Sequence, residues 1–542
     1  MTHPAIRAHR PLVMGRNGAV ASNHPVATQA GLDVLRAGGN AADAALATAL
    51  ALGVVEPHMS GLGGDGFYHV LDGRSGRSTV FNGTGTAAAA ATAEFYRARP
   101  DGIPSFGALS ISVPGTVSGL AAMHGRFGAR PWSSLFGGAV EAARHGFAAT
   151  HGYRHFSGEN RNRLRPDARS AATFLGSGGE APALGDLVLQ PDLARSLELL
   201  AEGGAAAFYE GDLGRRIAAG IAAAGGLVTA DDLARCRAEE VAPIAVSYRG
   251  HEVRQTPPNS TGFTMLQMLK IVERFDLAAL GWGSPALLHR LVEAKKLAFL
   301  DRERYGADPA GRTIPLDRLL SDEHADKLAA MVDAERAADR PVRGERAEGD
   351  TTYFCVVDRD GNAVSAIQSI NSSFGSGVTA GDTGILMNNR MCYWHLDPGH
   401  ANELTPGRRV RHTMNAPIVL KDGRLWAVFG TPGADNQVQV NLQVLVGMVD
   451  FGLDPQQAVE APRWSSSQVG QEANHPHGGD AGLTLEGRFA PETAAALRAL
   501  GHAVKTVGDL DGPCSVEAIR VLDNGIRMAA SDPRRDGWAG AY

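Results

Sequence analysis

Cysteine is scarce in this chain: four in 542 residues, at Cys236, Cys355, Cys392 and Cys514, without the spacing of a metal site. A reducing compartment is the simpler reading. Long apolar runs are missing as well. Nothing approaches the roughly 18 consecutive apolar residues that a bilayer-spanning helix needs, so no membrane span is expected. The residues from Met1 to Met14 include bases and prolines but no apolar segment. No signal peptide is therefore expected, and the expected location is the cytoplasm. Nor is there an excess of positive charge: 52 Lys and Arg stand against 58 Asp and Glu, a net charge of −6. Such a chain has no basic face to offer, and nucleic acid is not an expected partner.

What is present is ordinary for a globular protein, 44% hydrophobic and 20% charged. The length exceeds what one small core can organise, so two or more lobes are expected. Helical and strand patterns alternate, which predicts a mixed α and β protein. Helices are expected over 27–37, 41–52, 118–127, 131–148, 191–203, 213–224, 263–275, 287–304, 438–449 and 491–500. Strands are expected over 19–22, 68–71, 244–248, 251–255 and 384–387, with hairpins over 416–430 and 516–530. The charges of the 287–304 helix (Glu293, Lys295, Lys296, Asp301 and Arg302) read as a solvated stripe. Gly61–Gly66 contains G-x-G-x-x-G, but it follows a helix and precedes a strand, the reverse of the order a dinucleotide site needs. A tight turn is the better reading. His395, Asp397, His400, His475 and His477 lie in loops without metal-ligand spacing, so no metal and no cofactor are expected.

The informative stretch begins at 350. A charged, bulky-apolar-poor run from Ala334 to Asp350, expected to be mobile, stops abruptly. The β-branched and aromatic run Thr351-Thr352-Tyr353-Phe354-Cys355-Val356-Val357 follows. It turns at Asp358–Asn362 and returns as Ala363–Ile370, which predicts a hairpin. A threonine opening a strand after a flexible acidic residue is what a self-cleaving N-terminal nucleophile hydrolase needs. A threonine hydroxyl is a poor nucleophile without a base. An α-amino group titrates near pH ~7.7–8.0, and once freed it sits on the same residue as the hydroxyl it must activate.

Gln368–Gly377, Asn388-Asn389-Arg390, Arg411–Asn415 and Gly430–Ala434 follow in order. Together with the opening run from Ser22 to Phe67, they make the chain resemble the γ-glutamyltranspeptidase family over nearly its whole length. The resemblance implies an αββα four-layer sandwich, with α and β segregated into layers. It implies cleavage between Asp350 and Thr351 into a large subunit, 1–350, and a small subunit, 351–542, paired as a heterodimer. Thr351 would be the nucleophile, Ser369 a hydroxyl partner to it, and Gly433 and Ala434 the oxyanion turn. Thr352, Asn371, Arg390, His412 and Thr413 would line the substrate site. The substrate would be a small-molecule γ-glutamyl amide, split through an acyl-enzyme that water or an amine resolves.

Some departures bear on that substrate. The family's carboxylate-gripping arginine should fall near Ala93 or Glu94, and its ammonium-pairing aspartate near Cys392 or Tyr393. Neither is there; Arg97 is the nearest arginine. Arg390 stands where an amide is usual, and His412-Thr413 replaces a serine pair. Arg390 can hold a lone carboxylate, so an acylase for a different carboxylated acyl group is the alternative. A reading from another class is an uncleaved, inactive binding protein.

Overall fold

The computed structural model describes residues 8–341, 350–471, 473–475, 477 and 479–542. Two seven-stranded antiparallel sheets face each other. The first runs Trp538–Ala541, Ala19–Ser22, Asp350–Val357, Ala363–Asn371, Asp65–Leu71, Ser78–Gly83, Glu239–Val241. The second runs Val13–Gly15, Arg527–Ser531, Glu517–Val521, Arg424–Gly430, Ile418–Lys421, His251–Gln255, Ile244–Tyr248. Helices cover the outer face of each, giving the four-layer αββα sandwich.

Strand alternation builds the layers. Along Asp350–Val357, Tyr353, Cys355 and Val357 enter the core between the sheets with Phe67, Ile367, Ile418 and Val428. Phe354 and Val356 point the other way, into the core under the Ala41–Val55 helix. Both faces of this strand are buried, so its sequence is apolar without a polar alternate. The same alternation sends the side chains of Thr351 and Thr352 to opposite faces. The helices Gly262–Val272, Pro285–Tyr305 and Asn436–Val449 close the outer face of the second sheet.

The 350–371 hairpin forms as expected, turning at Asp358, whose carboxylate accepts from Asp360 and Asn362. Three expectations need correction. The helix expected over 131–148 is broken into a short turn at Trp132–Leu135, a helix at Gly137–His145 and a strand residue pair at Phe147–Ala148, because Gly146 takes φ +87°. Gly384–Met387 makes only single-residue bridges, Leu386 with Thr379 and Met387 with Gly63, since left-handed glycines at 377, 381 and 384 prevent a ladder. The charged stripe of the Pro285–Tyr305 helix is not solvated. Glu293, Lys295, Lys296 and Arg302 are all buried. Lys296 pairs with Glu293 at 2.7 Å, Lys295 donates to Gln468 at 3.0 Å, and Arg302 pairs with Asp435. A segment near 468–471 covers this face of the helix, which helical periodicity cannot foretell. Of the mobile tail expected over 334–350, residues 342–349 lie outside the described residues. Among the described residues no helix is long and apolar enough to cross a membrane.

Candidate active site

Thr351 lies one residue inside the Asp350–Val357 strand and is 3% exposed. Pairing with the neighbouring strand shifts here: Asp350 faces Asn371, while Thr352 faces Gln368. The extra residue belongs to the 363–371 strand, and the irregularity brings Ser369 beside Thr351. Thr351 Oγ1 donates to Ser369 Oγ at 3.2 Å. Ser369 Oγ accepts in turn from the Asn371 backbone N–H at 2.8 Å. Asn371 takes φ +82°, a left-handed conformation that asparagine tolerates better than most residues. Bulges of this kind re-aim side chains near sites of chemistry.

Beyond Asn371 the polar groups form one buried network. Arg390 Nη1 donates to Asn371 Oδ1 at 3.0 Å, and Arg390 Nε donates to Asp65 Oδ2 at 3.0 Å. The guanidinium lies 4.6 Å over the Tyr393 ring. Asn371 Nδ2 donates to the Asn389 carbonyl and to Asn474 Oδ1. Burial pushes the Asp65 carboxyl above its usual value against the pull of the Arg390 charge, while the Gly85 N–H also donates to it at 2.8 Å. His412 lies 3.8 Å from Asp65, and burial followed by the Arg390 charge keeps its imidazole neutral. Among the described residues neither His412 nitrogen has a hydrogen-bond partner, and neither does Arg390 Nη2. Thr413 Oγ1 bonds the Tyr393 hydroxyl at 3.0 Å.

The Thr431–Asp435 turn joins the end of the Arg424–Gly430 strand to the helix Asn436–Val449. Its anchorage over the Thr351 end of the opposite sheet is visible at Gly430, where a Cβ would lie 2.3 Å from the Tyr353 ring. Gly433 has φ +118°, and a Cβ there would meet Cys514 Sγ at 2.3 Å. Ala434 has φ +46°, a left-handed conformation that costs a non-glycine residue about 1–2 kcal/mol. The turn is braced from outside: Asp435 is held by Arg302, whose Nη2 also donates to the Gln471 carbonyl at 2.7 Å. Thr431 Oγ1 accepts from Ser515 N–H at 3.1 Å. The positive end of a 14-residue helix backs the whole turn.

Thr352 points to the opposite face from Thr351. Its Oγ1 donates to Glu56 Oε2 at 2.7 Å and accepts from Asn23 Nδ2 at 3.2 Å. Sequence reasoning assigns no role at the site to Asp65, Asn23, Glu56 or Asn474, and it reads Arg302 as part of a solvated stripe. Asn23, Glu56 and Asp65 do lie in the distinctive opening run, which was a signal without an assigned partner. Gly63 and Gly64 of the glycine-rich segment serve close packing. Cβ atoms there would come within 2.2 Å of the Leu386 carbonyl and 2.3 Å of the Ser369 carbonyl.

Arg97 is engaged with Glu403 and the Leu396 carbonyl, both at 2.7 Å. Cys392 donates to the Pro104 carbonyl at 3.2 Å, and no carboxylate stands at 392 or 393. His395, His400 and His477 do meet, as a stack with ring centroids 3.5 and 3.6 Å apart, and Glu303 lies beside the first two. His400 Nδ1 accepts from the Asn402 N–H, so its proton sits on Nε2, facing Glu303 at 3.1 Å. Glu303, His395 and His400 each bring one ligand atom within 4.8 Å of the others, close enough together to hold a metal ion, which loop spacing in the sequence did not foretell. Asp397 is exposed and apart from the group.

Comparison with known proteins adds the rest. The Gamma-glutamyltranspeptidase family model matches residues 27–542. The chain is 40% identical to the glutathione hydrolase-like YwrD proenzyme of Bacillus subtilis over 531 residues, 97% of this chain and 99% of that one. It is 36% identical to the oxamate amidohydrolase proenzyme of Klebsiella pneumoniae, covering 97% and 98% of the two chains. Among solved structures, cephalosporin acylase from Bacillus halodurans superposes with a TM-score of 0.90 at 33% identity, covering 100% of this chain and 98% of that one. A matched family model over nearly the whole length and a shared four-layer fold lead to one conclusion: the chain is an enzyme of the γ-glutamyltranspeptidase family.

Proposed function

We propose that this protein is a self-processing threonine amidohydrolase, cut between Asp350 and Thr351, with Thr351 as the nucleophile. The observation that carries the reading is the buried Thr351 hydroxyl, one residue into a strand and 3.2 Å from Ser369 Oγ. Relatives named as proenzymes support a precursor that is cut. In the cleaved form the Thr351 α-amino group takes the hydroxyl proton as Oγ attacks the amide carbonyl carbon. The backbone N–H groups of Gly433 and Ala434 receive the oxyanion, a kind of stabilisation worth about 3–4 kcal/mol per donor. The C–N bond then breaks, the ammonium returns its proton to the departing amine, and water or an amine repeats the sequence on the ester.

The acyl group we favour is carboxylated and carries no ammonium. Among the described residues Arg390 Nη2 has no hydrogen-bond partner while Nη1 holds Asn371, whereas no carboxylate at 392 or 393 awaits a cation. A buried ammonium without a partner is costly. A relative named oxamate amidohydrolase and a solved structure named cephalosporin acylase are consistent with this range. Ordinary γ-glutamyl chemistry is the competing reading, favoured by the relative named glutathione hydrolase-like.

Intact mass spectrometry and a turnover assay separate the possibilities. Two polypeptides split at 350/351, with Thr351→Ala remaining whole and inactive, is the expected result. A single uncut polypeptide that hydrolyses amides at full rate overturns the assignment. Fast turnover of a γ-glutamyl-anilide, with none of an oxamate-type amide, returns the substrate reading to glutathione.

A further inference from the structure

The strand that carries Thr351 has an unequal pair of neighbours at its start. On one side Thr352 pairs with Gln368. On the other, pairing with Ala19–Ser22 begins only at Phe354, opposite Ser22. Beyond Ser22 the chain turns away, and His24 caps the helix Pro25–Arg36. For Thr352 and Tyr353 the missing strand partner is replaced by one side chain. Asn23 Nδ2 reaches Thr352 Oγ1 at 3.2 Å and the Tyr353 carbonyl at 3.5 Å. Glu56, at the end of the helix Ala41–Val55, completes the contact by accepting from Thr352 Oγ1 at 2.7 Å. Asn23 and Glu56 are 0% and 4% exposed.

This arrangement holds a buried acceptor in reserve. Asn23 Oδ1 has no hydrogen-bond partner among the described residues. Buried polar groups are nearly always satisfied, so such an acceptor calls for a donor. Cutting the 350–351 bond supplies one, because the amide N–H of Thr351 becomes an amino group with additional hydrogens. It also makes Thr351 a chain end, and chain ends fray unless they are tied down.

We infer that Asn23 and Glu56 form a cradle for the amino terminus freed at Thr351. Asn23 takes a hydrogen bond from it, and Glu56, through Thr352, fixes the strand end and raises the amine's proton affinity. Both are positioning residues, and the inference rests on Thr351 being the nucleophile. Other titratable groups stand on the surrounding elements. Asp65 is already joined to Arg390. Glu517, on the adjoining strand of the second sheet, is pushed by burial well above the carboxylate range and is neutral. His24 and His58 are kept neutral by burial. Arg535 touches Met59 Sδ and the Phe156 ring. Glu56 is thus the carboxylate bonded to the residue next to the amine.

The signs follow. A neighbouring carboxylate favours the ammonium form, and only the neutral amine can act as base. Glu56→Gln keeps a hydrogen-bond acceptor and removes the charge. The acid limb of its kcat/KM profile is expected to move down by roughly one pH unit. Asn23→Ala is expected to be cut normally, with kcat about tenfold lower and KM within about twofold of the parent. A merely structural role would change the amount of folded, cut protein without moving the acid limb. An unmoved limb in Glu56→Gln, or parent kcat in Asn23→Ala, overturns the cradle. Should Glu56→Gln stay uncut, Thr352→Val replaces it. That variant keeps the carboxylate but severs its link, so it should lose kcat, and parent kcat there also overturns the cradle. Full activity in Thr351→Ala would instead remove the reading on which the cradle depends.

Discussion

At the scale of single residues, the site is a set of short polar links whose removal has different signatures. Ser369 Oγ accepts from Thr351 Oγ1 and from the Asn371 N–H, so it both orients the proposed nucleophile and ties the strand bulge. A hydrogen bond of this kind is worth about 1–3 kcal/mol, which at about 1.4 kcal/mol per decade predicts a ten- to hundredfold loss of kcat in Ser369→Ala. Steady-state kinetics on the cut enzyme checks this, and an unchanged kcat refutes the role. Arg390 poses a different problem, since its removal strands a buried carboxylate. Arg390→Leu leaves Asp65 uncompensated and should cost about 3–5 kcal/mol of stability. Arg390→Lys keeps the charge beside Asp65 but loses the fork that also reaches Asn371. It should therefore fold, with KM for a carboxylated amide rising more than kcat falls. Chemical denaturation separates the first effect from the kinetics of the second.

At the scale of elements, the turn Thr431–Asp435 is where the proposed oxyanion role puts a demand on backbone shape. Gly433→Ala would drive a Cβ into Cys514 Sγ at 2.3 Å and would demand φ +118° of an alanine. Loss of one oxyanion donor typically costs 10²–10³ in kcat, and a displaced turn should cost about that much. Ala434→Gly should raise stability, relieving a strained left-handed alanine and adding about 1 kcal/mol. Steady-state kinetics of Gly433→Ala and thermal unfolding of Ala434→Gly test the two. These elements differ in how far local sequence reveals them. The 350–371 hairpin is legible because its apolar runs and its Asp-Gly-Asn turn are local facts. The bulge that sets Ser369 beside Thr351 leaves no local mark. The failure of Gly384–Met387 to form a ladder does leave one, in the glycines at 377, 381 and 384, but their left-handed φ is seen only in the structure. The Pro285–Tyr305 helix shows the same limit: periodicity gives its faces, but not that Gln468 and Asp435 would arrive to pair Lys295 and Arg302.

At the scale of the whole molecule, four layers and their family resemblance were readable, while the pairings that cross the molecule were not. Asp65 and Arg390 are 325 residues apart in the chain, and Glu56 and Thr352 are 296 apart. Assembling so many distant polar groups in a dry interior also sets the protein's response to acid. Burial lowers the proton affinity of nine histidines: His24, His58, His69, His251, His395, His412, His475, His477 and His502. His24, His69 and His477 are brought down to about 4. Between that value and about 6.5 the unfolded chain binds protons that the folded chain refuses, so stability falls as pH falls through this window. Glu303 adds to the fall below the ordinary carboxylate range. Against the pull of burial, Arg411 and His400 hold it well below its usual value, and the stability it contributes is lost as acid protonates it. Three carboxyls oppose the trend: burial raises Asp65, Asp450 and Glu517, so their contribution shrinks as pH rises above about 4.5. Among the described residues the histidines outnumber these carboxyls, and the net fall toward acid is the expected outcome. Unfolding temperature measured at pH 7, 6 and 5 should decline at each step, and a plateau or a rise toward pH 5 would mean that the buried histidines are not neutral partners in this fold.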